Sequence, residues 1–452
     1  MSIKYLAWVC ALAVACSPVA PVASPSSTTT PSSPTASAAA ATAGASPAGL
    51  ASAPHAIFGP LRAYYTLPDG AFREDAHVAV TFPDADPTAG TPRARLRSNA
   101  RAVPLVRSRD IASSWQADLP LDGAPPGGQR IEILVRLRGG EDAVLATRDF
   151  TLSAPEYVVW TLDFEGDAAG DAEMANTAAI ADGLKVPMTI LWNPRVWTTG
   201  VPPGESSDVS AARAEAMLAW TKDRLSRTGD EVGLHLHMWT DYVRAAGLTP
   251  RLTPSWAGRS DGYDVPITAY PEADQKALID FGTKLMTDHG LPKATSFRAG
   301  GQFGDAATLR ALVASGFSAD CTAVPAGTFG RLRLPWTLAT DAQPYRPSRE
   351  DANATGDLTI LESPTIGGNT FGFTTATIQP QVRANLAVFA PAGEFAKERR
   401  TVHVVSHPGT IVPAERAAIE ALLRAFDPLR YDRDAGPVRF VTLAQLAKAY
   451  AR

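Results

Sequence analysis

Four apolar, β-branched runs in the second half of the chain each end on an ionisable side chain. They read YVVWTLD, EVGLHLH, ATSFR and TVHVVSH, and they end at Asp163, His237, Arg298 and His407. In parallel α/β folds the chemistry collects at the carboxyl ends of strands, where loops leave the apolar layer and polar groups converge. One such residue would indicate only contact with solvent, whereas four of them predict a single shared site.

Residues 155–452 form the segment in which strands alternate with helical stretches, a pattern typical of a parallel sheet. The predicted strands cover residues 157–163, 186–191, 231–237, 294–298, 317–321, 357–362, 401–406 and 438–442. The predicted helices cover residues 171–183, 209–226, 272–288, 305–315 and 413–426. This many units favours a complete or distorted α/β barrel over an open sheet, and no G-x-G-x-x-G motif follows the first strand.

Residues 55–153 have a different pattern. Short alternating runs such as HVAVTF (77–82) and RIEILVRL (130–137) are broken by Gly, Pro and Asp, and no helical periodicity is evident. We therefore expect a small all-β sandwich domain before the barrel domain of residues 155–452.

The N-terminus predicts export. An apolar stretch over residues 5–15 follows Lys4 and is too short to span a bilayer, so residues 1–15 are interpreted as a signal peptide. A small residue directly before Cys16, followed by a polar low-complexity tract, resembles the lipobox of bacterial lipoproteins. We expect a lipid anchor at Cys16 and a place in the bacterial cell envelope, in the periplasm or at the cell surface; a plain secreted protein is the alternative.

Composition indicates a tether near the N-terminus and limits the classes of partner that the protein can bind. Residues 16–54 are almost all Ser, Thr, Pro and Ala, which predicts a disordered tether. Once Cys10 leaves with the signal and Cys16 is lipidated, Cys321 is the remaining cysteine, and a small buried residue is its expected role. The net charge of −4 and the lack of a basic patch argue against nucleic acid as a partner and against membrane contact other than through the lipid anchor. The oligomeric state is left open.

Two carboxylates lie at the end of the first predicted strand. Asp163 and Glu165 are two residues apart, so they share a face if the extended backbone continues through them. Such a pair can divide its work, with one carboxylate binding a cation and the other accepting a proton from water.

Two imidazoles with the same spacing lie at the end of the third predicted strand. His235 and His237 can converge on one ion, and two neutral imidazoles with a carboxylate suit Zn²⁺ with water in the open position. Such an ion lowers the pKa of bound water to about 7. The third ligand is left open among Glu165, His237 and Asp241.

The remaining two clusters supply an arginine and a histidine. A buried arginine without a partner is costly, so we expect Arg298 to pair with Asp163; a purely structural ion pair is the alternative. His407 is placed to protonate a leaving group, and His403, on the same face, is expected to be a core or orienting residue.

In order along the chain, the motifs WTLDFEG, VPMTILW, EVGLHLH, SFRAGG and VVSHP resemble the NodB-like polysaccharide deacetylases of carbohydrate esterase family 4 over about residues 156–450. The resemblance implies a distorted (β/α)7-type barrel and metal-dependent removal of acetyl groups from a glycan. It assigns Asp163 as the catalytic base, His235 as the first metal histidine, Arg298 as the residue that orients the base, and His407 as the catalytic acid.

The chain departs from the family pattern at three points. The usual Asp-Asp pair is Asp-x-Glu, so Glu165 takes the role of the metal carboxylate. The second histidine of H-x-x-x-H is Trp239, so His237 stands in for it. Where the family has R-P-P-Y this chain has R-A-G-G, so an oxyanion donor has to be a backbone N–H near Gly300 or Gly301.

The expected activity is hydrolysis of an acetyl amide or ester on a polysaccharide or other glycan by metal-activated water. Asp163 takes the proton of the water and His407 protonates the departing amine or alkoxide. Two other interpretations stay open: a surface glycan-binding lipoprotein with a degenerate, inactive barrel, and a different metal-dependent amidohydrolase, because H-x-H at a strand end is also found in those barrels.

Overall fold

A computed structural model of the protein describes residues 56–82, 91–109, 111, 113–136, 142–199 and 209–451. The predicted signal peptide (1–15), the lipid site Cys16 and the tether (16–54) lie outside the described residues. None of the described helices is long and apolar enough to cross a membrane.

The region up to residue 153 consists of two antiparallel-rich sheets with an apolar layer between them, and its described residues contain no helix. Its strands are β1 (Ile57–Phe58), β2 (Tyr64–Thr66), β3 (Ala76–Thr81), β4 (Arg93–Leu96), β5 (Ala102–Pro104), β6 (Val106–Arg107), β7 (Ser114–Leu119), β8 (Gly127–Arg136) and β9 (Asp142–Ser153). The orders β1-β3-β7-β6 and β2-β9-β8-β4-β5 describe the two sheets. Along β3 buried residues alternate with more exposed ones, as expected for strands with one face on a core.

The second region is an α/β barrel. Its strands are β10 (Glu156–Asp163), β11 (Thr189–Trp192), β12 (Glu231–Leu236), β13 (Ser296–Ala299), β14 (Ala319–Asp320), the hairpin β15 (Thr328–Phe329) and β16 (Leu332–Arg333), β17 (Leu361–Glu362), β18 (Arg400–Ser406) and β19 (Val438–Val441). Its helices are α1 (Asp171–Leu184), α2 (Ala211–Thr228), α3 (Thr240–Ala245), α4 (Glu272–Asp288), α5 (Ala306–Ala314), α6 (Gln379–Leu386), α7 (Pro413–Arg424) and α8 (Leu443–Ala449).

Seven parallel strands lie in the order β17-β14-β13-β12-β11-β10-β18, and β19 also pairs with β10. The segment that follows β17 links the two edges. Ser363 N and Thr365 N donate to the carbonyls of Asp320 and Ala323, and Gly367 N donates to His403 O on β18. The predicted fold, a distorted (β/α)7-type barrel after a small all-β region, is confirmed.

Strand β10 is buried along its whole length because apolar layers cover both of its faces. Tyr157 and Val159 pack with Leu191 and Ala319 inside the curled sheet, whereas Trp160 belongs to the larger layer between sheet and helices. This explains why the strand reads as a continuous apolar run instead of alternating.

Several elements differ from the predicted ones. Strands β14 and β17 are two residues long, although the sequence predicted five or six, because the ladder breaks where the chain turns to neighbouring loops. Helices α3, α6 and α8 were not predicted. They have six to eight residues, too few for a 3.6-residue periodicity to stand out from the flanking loops.

Candidate metal centre and catalytic cluster

The site lies at the carboxyl ends of neighbouring strands. Side chains alternate along β10, so Asp163 follows Tyr157, Val159 and Thr161 onto the inner face of the sheet. Because β18, β10, β11, β12 and β13 are consecutive in the sheet, the predicted residues that follow or end these strands meet at one end of the barrel.

Glu165 is the centre of the cluster. Its Oε2 atom lies 2.5 Å from His237 Nε2 and 3.4 Å from His235 Nε2, and its Oε1 atom lies 3.0 Å from His407 Nε2. Two sets of ligand atoms within 4.8 Å of one another share it: Glu165 with His235 and His237, and Asp163 with Glu165 and His407. The structure thus brings four of the other five predicted site residues around the Glu165 carboxylate.

The tautomers of the two metal-ligand candidates are fixed by backbone carbonyls. His235 Nδ1 lies 3.0 Å from Arg298 O, and His237 Nδ1 lies 2.7 Å from Tyr263 O. A carbonyl oxygen only accepts, so each Nδ1 carries the proton and each Nε2 directs its lone pair at Glu165. Three acceptors that face one another need a cation between them, either a proton or a metal ion.

The donor set fits a divalent ion. Two imidazole nitrogens and a carboxylate oxygen are typical zinc ligands, and the structure places these three atoms within 4.8 Å of one another. Burial opposes the charge of Glu165, but His237, together with His235 and His407, lowers the pKa of its carboxyl well below the usual range. Burial also opposes a charged His235, yet Asp163 and Glu165 raise its pKa. Both directions reflect a centre that favours positive charge.

Asp163 is held in part by Arg298, as predicted. Arg298 Nη1 lies 3.5 Å from Asp163 Oδ2, and both side chains are at most 4% exposed. The other carboxylate oxygen, Asp163 Oδ1, is buried without a hydrogen-bond partner among the described residues. An unpartnered buried acceptor beside the metal candidates is the arrangement expected of a general base.

The hydrogen bonds of Arg298 go elsewhere than to Asp163. Its Nη2, which carries two protons, lies within hydrogen-bond distance of four acceptors: Thr161 Oγ1 (3.0 Å), Thr365 Oγ1 (3.1 Å), Cys321 Sγ (3.1 Å) and His403 Nε2 (3.2 Å). Burial and the neighbouring guanidinium lower the pKa of His403 well below its usual value, so this ring is neutral. Burial raises the pKa of the Cys321 thiol well above its ordinary value, which makes it an inert buried neighbour. Arg298 therefore lies beside Asp163 and also links β13 to β10 and β18 and to the segments that follow β14 and β17.

His407 lies at the solvent side of the cluster with 15% of its side chain exposed. Burial disfavours its charged form, but the hydrogen bond to Glu165 raises the pKa of its ring. Its Nδ1 atom has no partner among the described residues. A ring with one nitrogen held and the other unengaged can pass a proton to a leaving group.

Asp241, one of the three candidates for the third ligand, does not join the cluster. Its carboxylate pairs with Arg195, at 2.7 Å from Nη2, and Arg195 Nη1 donates to Gly166 O. Trp239, which occupies the position of the family's second histidine, donates from Nε1 to Glu165 O at 3.0 Å. Both residues hold the backbone around Glu165 instead of contributing a ligand.

The two glycines after Arg298 lie against side chains of the site. A Cβ on Gly300 would lie 2.5 Å from His237 Nδ1, and a Cβ on Gly301 would lie 2.7 Å from the ring of Trp256. Glycine at these positions therefore makes room for His237 and Trp256. The backbone oxyanion donor stays a prediction.

Tyr263 is a residue of the site that the sequence analysis did not identify. Its hydroxyl donates to Glu165 Oε2 at 3.2 Å. It lies in a long irregular segment between α3 and α4, where neither periodicity nor spacing links a residue to the barrel strands.

No family model and no curated protein matches the chain. Among solved structures it is similar to a proposed polysaccharide deacetylase from Mycobacterium smegmatis, with 15% identity and a TM-score of 0.39 over 65% of this chain and 89% of that one. It is also similar to a family 4 carbohydrate esterase from Streptomyces lividans in complex with acetate (9% identity, TM-score 0.31, 60% and 88% covered). A third is a family 4 acetyl xylan esterase from Clostridium thermocellum in complex with a cobalt ion (12% identity, TM-score 0.30, 64% and 89% covered). The values are low, so the chemistry of the site rests on its own geometry.

Proposed function

We propose that the protein is a metal-dependent hydrolase that removes acetyl groups from a glycan, with Zn²⁺ held by Glu165, His235 and His237. The observation that carries the proposal is the Glu165 carboxylate facing two imidazole Nε2 atoms, those of His235 and His237, whose Nδ1 protons point at backbone carbonyls. Beside it stands a buried carboxylate oxygen, Asp163 Oδ1, without a partner among the described residues.

The chain's own residues supply the proton transfers. When bound, a divalent ion lowers the pKa of water and polarises an acyl oxygen. Asp163 Oδ1 accepts the proton of the attacking water while Arg298 orients the other carboxylate oxygen. His407 donates a proton to the departing amine or alkoxide through its unengaged Nδ1. Glu165 Oε1 contacts His407 and Glu165 Oε2 contacts His235 and His237, so its carboxylate links the proposed acid to the proposed metal ligands.

A sugar substrate is supported by the motif resemblance and by the rim of the site. Phe371 is 55% exposed, and its ring lies edge-on to His407 with the centroids 6.2 Å apart. An exposed aromatic beside a general acid offers an apolar face to a sugar ring. Export with a lipid anchor at Cys16 is part of the proposal and places such a substrate in the cell envelope.

The alternatives of an inactive binding barrel and of a different amidohydrolase gain no support. Asp163 and His407 keep unengaged atoms at the metal candidates, which a barrel selected only for binding has no reason to retain. The H-x-H pair also ends the third barrel strand, whereas amidohydrolases carry it on the first.

The proposal is tested by acetate release from acetylated polysaccharides. Protein stripped with a chelator should be inactive, and zinc should restore turnover. Acetate release that is unchanged after removal of all metal would overturn the proposal, as would zinc-loaded protein that releases no acetate from a broad panel of N- and O-acetylated glycans.

A further inference from the structure

Tyr263 touches the candidate metal site in three ways. Its hydroxyl donates to Glu165 Oε2 at 3.2 Å, its carbonyl accepts from His237 Nδ1 at 2.7 Å, and its ring lies parallel to the His237 imidazole with the centroids 4.0 Å apart. Tyr263 therefore contacts both the carboxylate and one imidazole of the cluster.

His237 depends on these contacts because it lies beyond the end of β12, which finishes at Leu236. His235, by contrast, is aligned by the sheet itself, through the carbonyl of Arg298 on the next strand. On its other side the His237 ring faces Gly300, where a Cβ would overlap it. The imidazole is therefore held between the Tyr263 ring and a glycine.

The loop that carries Tyr263 is itself fixed. Asp264 Oδ2 accepts hydrogen bonds from Ser255 Oγ (2.6 Å), Ala257 N (2.8 Å) and Arg259 N (3.0 Å). Asp261 accepts from Tyr263 N, and the Arg259 guanidinium lies 4.7 Å from the Tyr263 ring centroid. A loop with this many internal bonds can present an aromatic ring and a hydroxyl in one orientation.

We propose that Tyr263 is a positioning residue of the metal centre. Its hydroxyl orients the Glu165 carboxylate, and its ring and carbonyl orient His237, so that the two ligands meet at one point. The inference rests on the proposed function, because it needs Glu165 and His237 to bind an ion. Partners of this kind typically change metal affinity about 10- to 100-fold when they are removed.

The test is Tyr263→Phe, which removes the hydroxyl and keeps the ring and the carbonyl. Tyr270→Phe is the matched control, since Tyr270 is a buried tyrosine of the same segment whose hydroxyl accepts from Arg251 N at 2.9 Å and does not touch the cluster. Metal-free proteins are titrated with Co²⁺, and both the dissociation constant and the visible absorption spectrum are recorded.

We expect Tyr263→Phe to weaken Co²⁺ binding about tenfold and to shift its absorption bands, and Tyr270→Phe to match the wild type in both. Tyr263→Leu, which also deletes the stacked ring, should weaken binding further. Thermal unfolding in chelator checks that the metal-free variants are folded. If Tyr263→Phe does not fold, Tyr263→Trp, which keeps a stacked ring without the hydroxyl, takes its place.

Two results overturn the inference and are distinguishable. Wild type that binds Co²⁺, with a folded Tyr263→Phe of identical affinity and spectrum, removes Tyr263 from the site but leaves the proposed function standing. Wild type that binds neither Co²⁺ nor Zn²⁺ removes the metal site, the proposed function and this inference together.

Discussion

A glutamate lies at each end of strand β12, and the two differ in the kind of neighbour that surrounds them: Glu231 begins the strand, and Glu165, which follows β10, lies at its far end. At its start, Glu231 accepts hydrogen bonds from Ser296 Oγ, Thr189 Oγ1 (3.0 Å) and Ala444 N (2.8 Å). At its far end, Glu165 faces the Nε2 atoms of His235 and His237, whose protons point at carbonyls.

This difference in neighbours distinguishes a structural carboxylate from a candidate functional one. A carboxylate surrounded by donors is satisfied and needs nothing further, so Glu231 caps and joins elements at the amino end of the barrel. Apart from the Tyr263 hydroxyl, the Glu165 carboxylate faces imidazole nitrogens, so this end of the strand needs a cation, either a proton or a metal ion. Residue type alone does not distinguish the two ends, whereas the direction of each proton does.

The largest expected effect is at the Glu165 end. Asp163→Asn keeps the size of the side chain and removes its ability to accept a proton, so acetate release should fall by about 10² to 10⁴. Metal content and unfolding temperature should stay close to those of the wild type, because Asp163 is not among the proposed ligands. Turnover within a few-fold of the wild type would remove Asp163 from the role of base.

At the Glu231 end the same kind of change should act on stability alone. Glu231→Ala leaves the donors Ser296, Thr189 and Ala444 N without their acceptor, which should lower the free energy of unfolding by about 3 kcal/mol. Denaturant unfolding measures this loss. Zinc content per folded chain should not change, and a loss of zinc would show that the two ends are not independent.

Glu156, the first residue of β10, is a third glutamate of the barrel, and its neighbours differ from those of Glu231 and Glu165. It is fully buried, Ala390 N donates to its Oε1, and its Oε2 has no partner among the described residues, so burial raises its pKa to about 7. The folded state then holds a proton that the unfolded chain releases near pH 4.5. This contribution to stability is complete below about pH 4.5 and is lost as the pH rises to about 7.

We therefore expect the free energy of unfolding to include a decline of about 3 kcal/mol between these pH values that Glu156→Gln abolishes. Paired denaturant titrations of wild type and variant between pH 4.5 and 8 give the difference. If the two proteins show parallel pH dependence, Glu156 is ionised in the folded state, and its burial with an unpartnered oxygen does not raise its pKa.

The smallest expected effect is at the rim. Phe371→Ala removes an exposed ring beside His407 and should raise KM for a polymeric substrate by about two- to tenfold, with kcat little changed. Leu252→Ala, a change at another exposed apolar residue, is the matched control. Equal KM values for wild type and Phe371→Ala would remove Phe371 from substrate contact.

Much of the fold could be predicted from the chain because long elements carry their own signal. Strands β10, β12 and β18 and helices α1 and α4 lie within a few residues of the predicted ranges, since buried β-branched runs and long amphipathic stretches are unambiguous. The two-residue strands β14 and β17 are set by their neighbours in the sheet, and no local pattern marks their ends.

The site residues that lie at or just beyond the ends of strands were predictable. Asp163, His235, Arg298 and His407 meet because parallel strands end at one edge, and the spacing of Glu165 and His237 follows from the alternation of side chains. Tyr263 was not predictable, because it lies on an irregular loop. The pairing of Asp241 with Arg195 was not predictable either, because Arg195 lies in a short 3₁₀ turn that no sequence pattern marks as part of the site.

The most direct measurement of the central claim is the zinc content of the purified protein by elemental analysis, with His235→Ala, His237→Ala and Glu231→Gln beside the wild type. We predict near-stoichiometric zinc in the wild type and in Glu231→Gln, and its loss in both histidine variants. Wild type without zinc after reconstitution, or histidine variants that retain it, would contradict the claim that the acceptors around Glu165 form a metal centre.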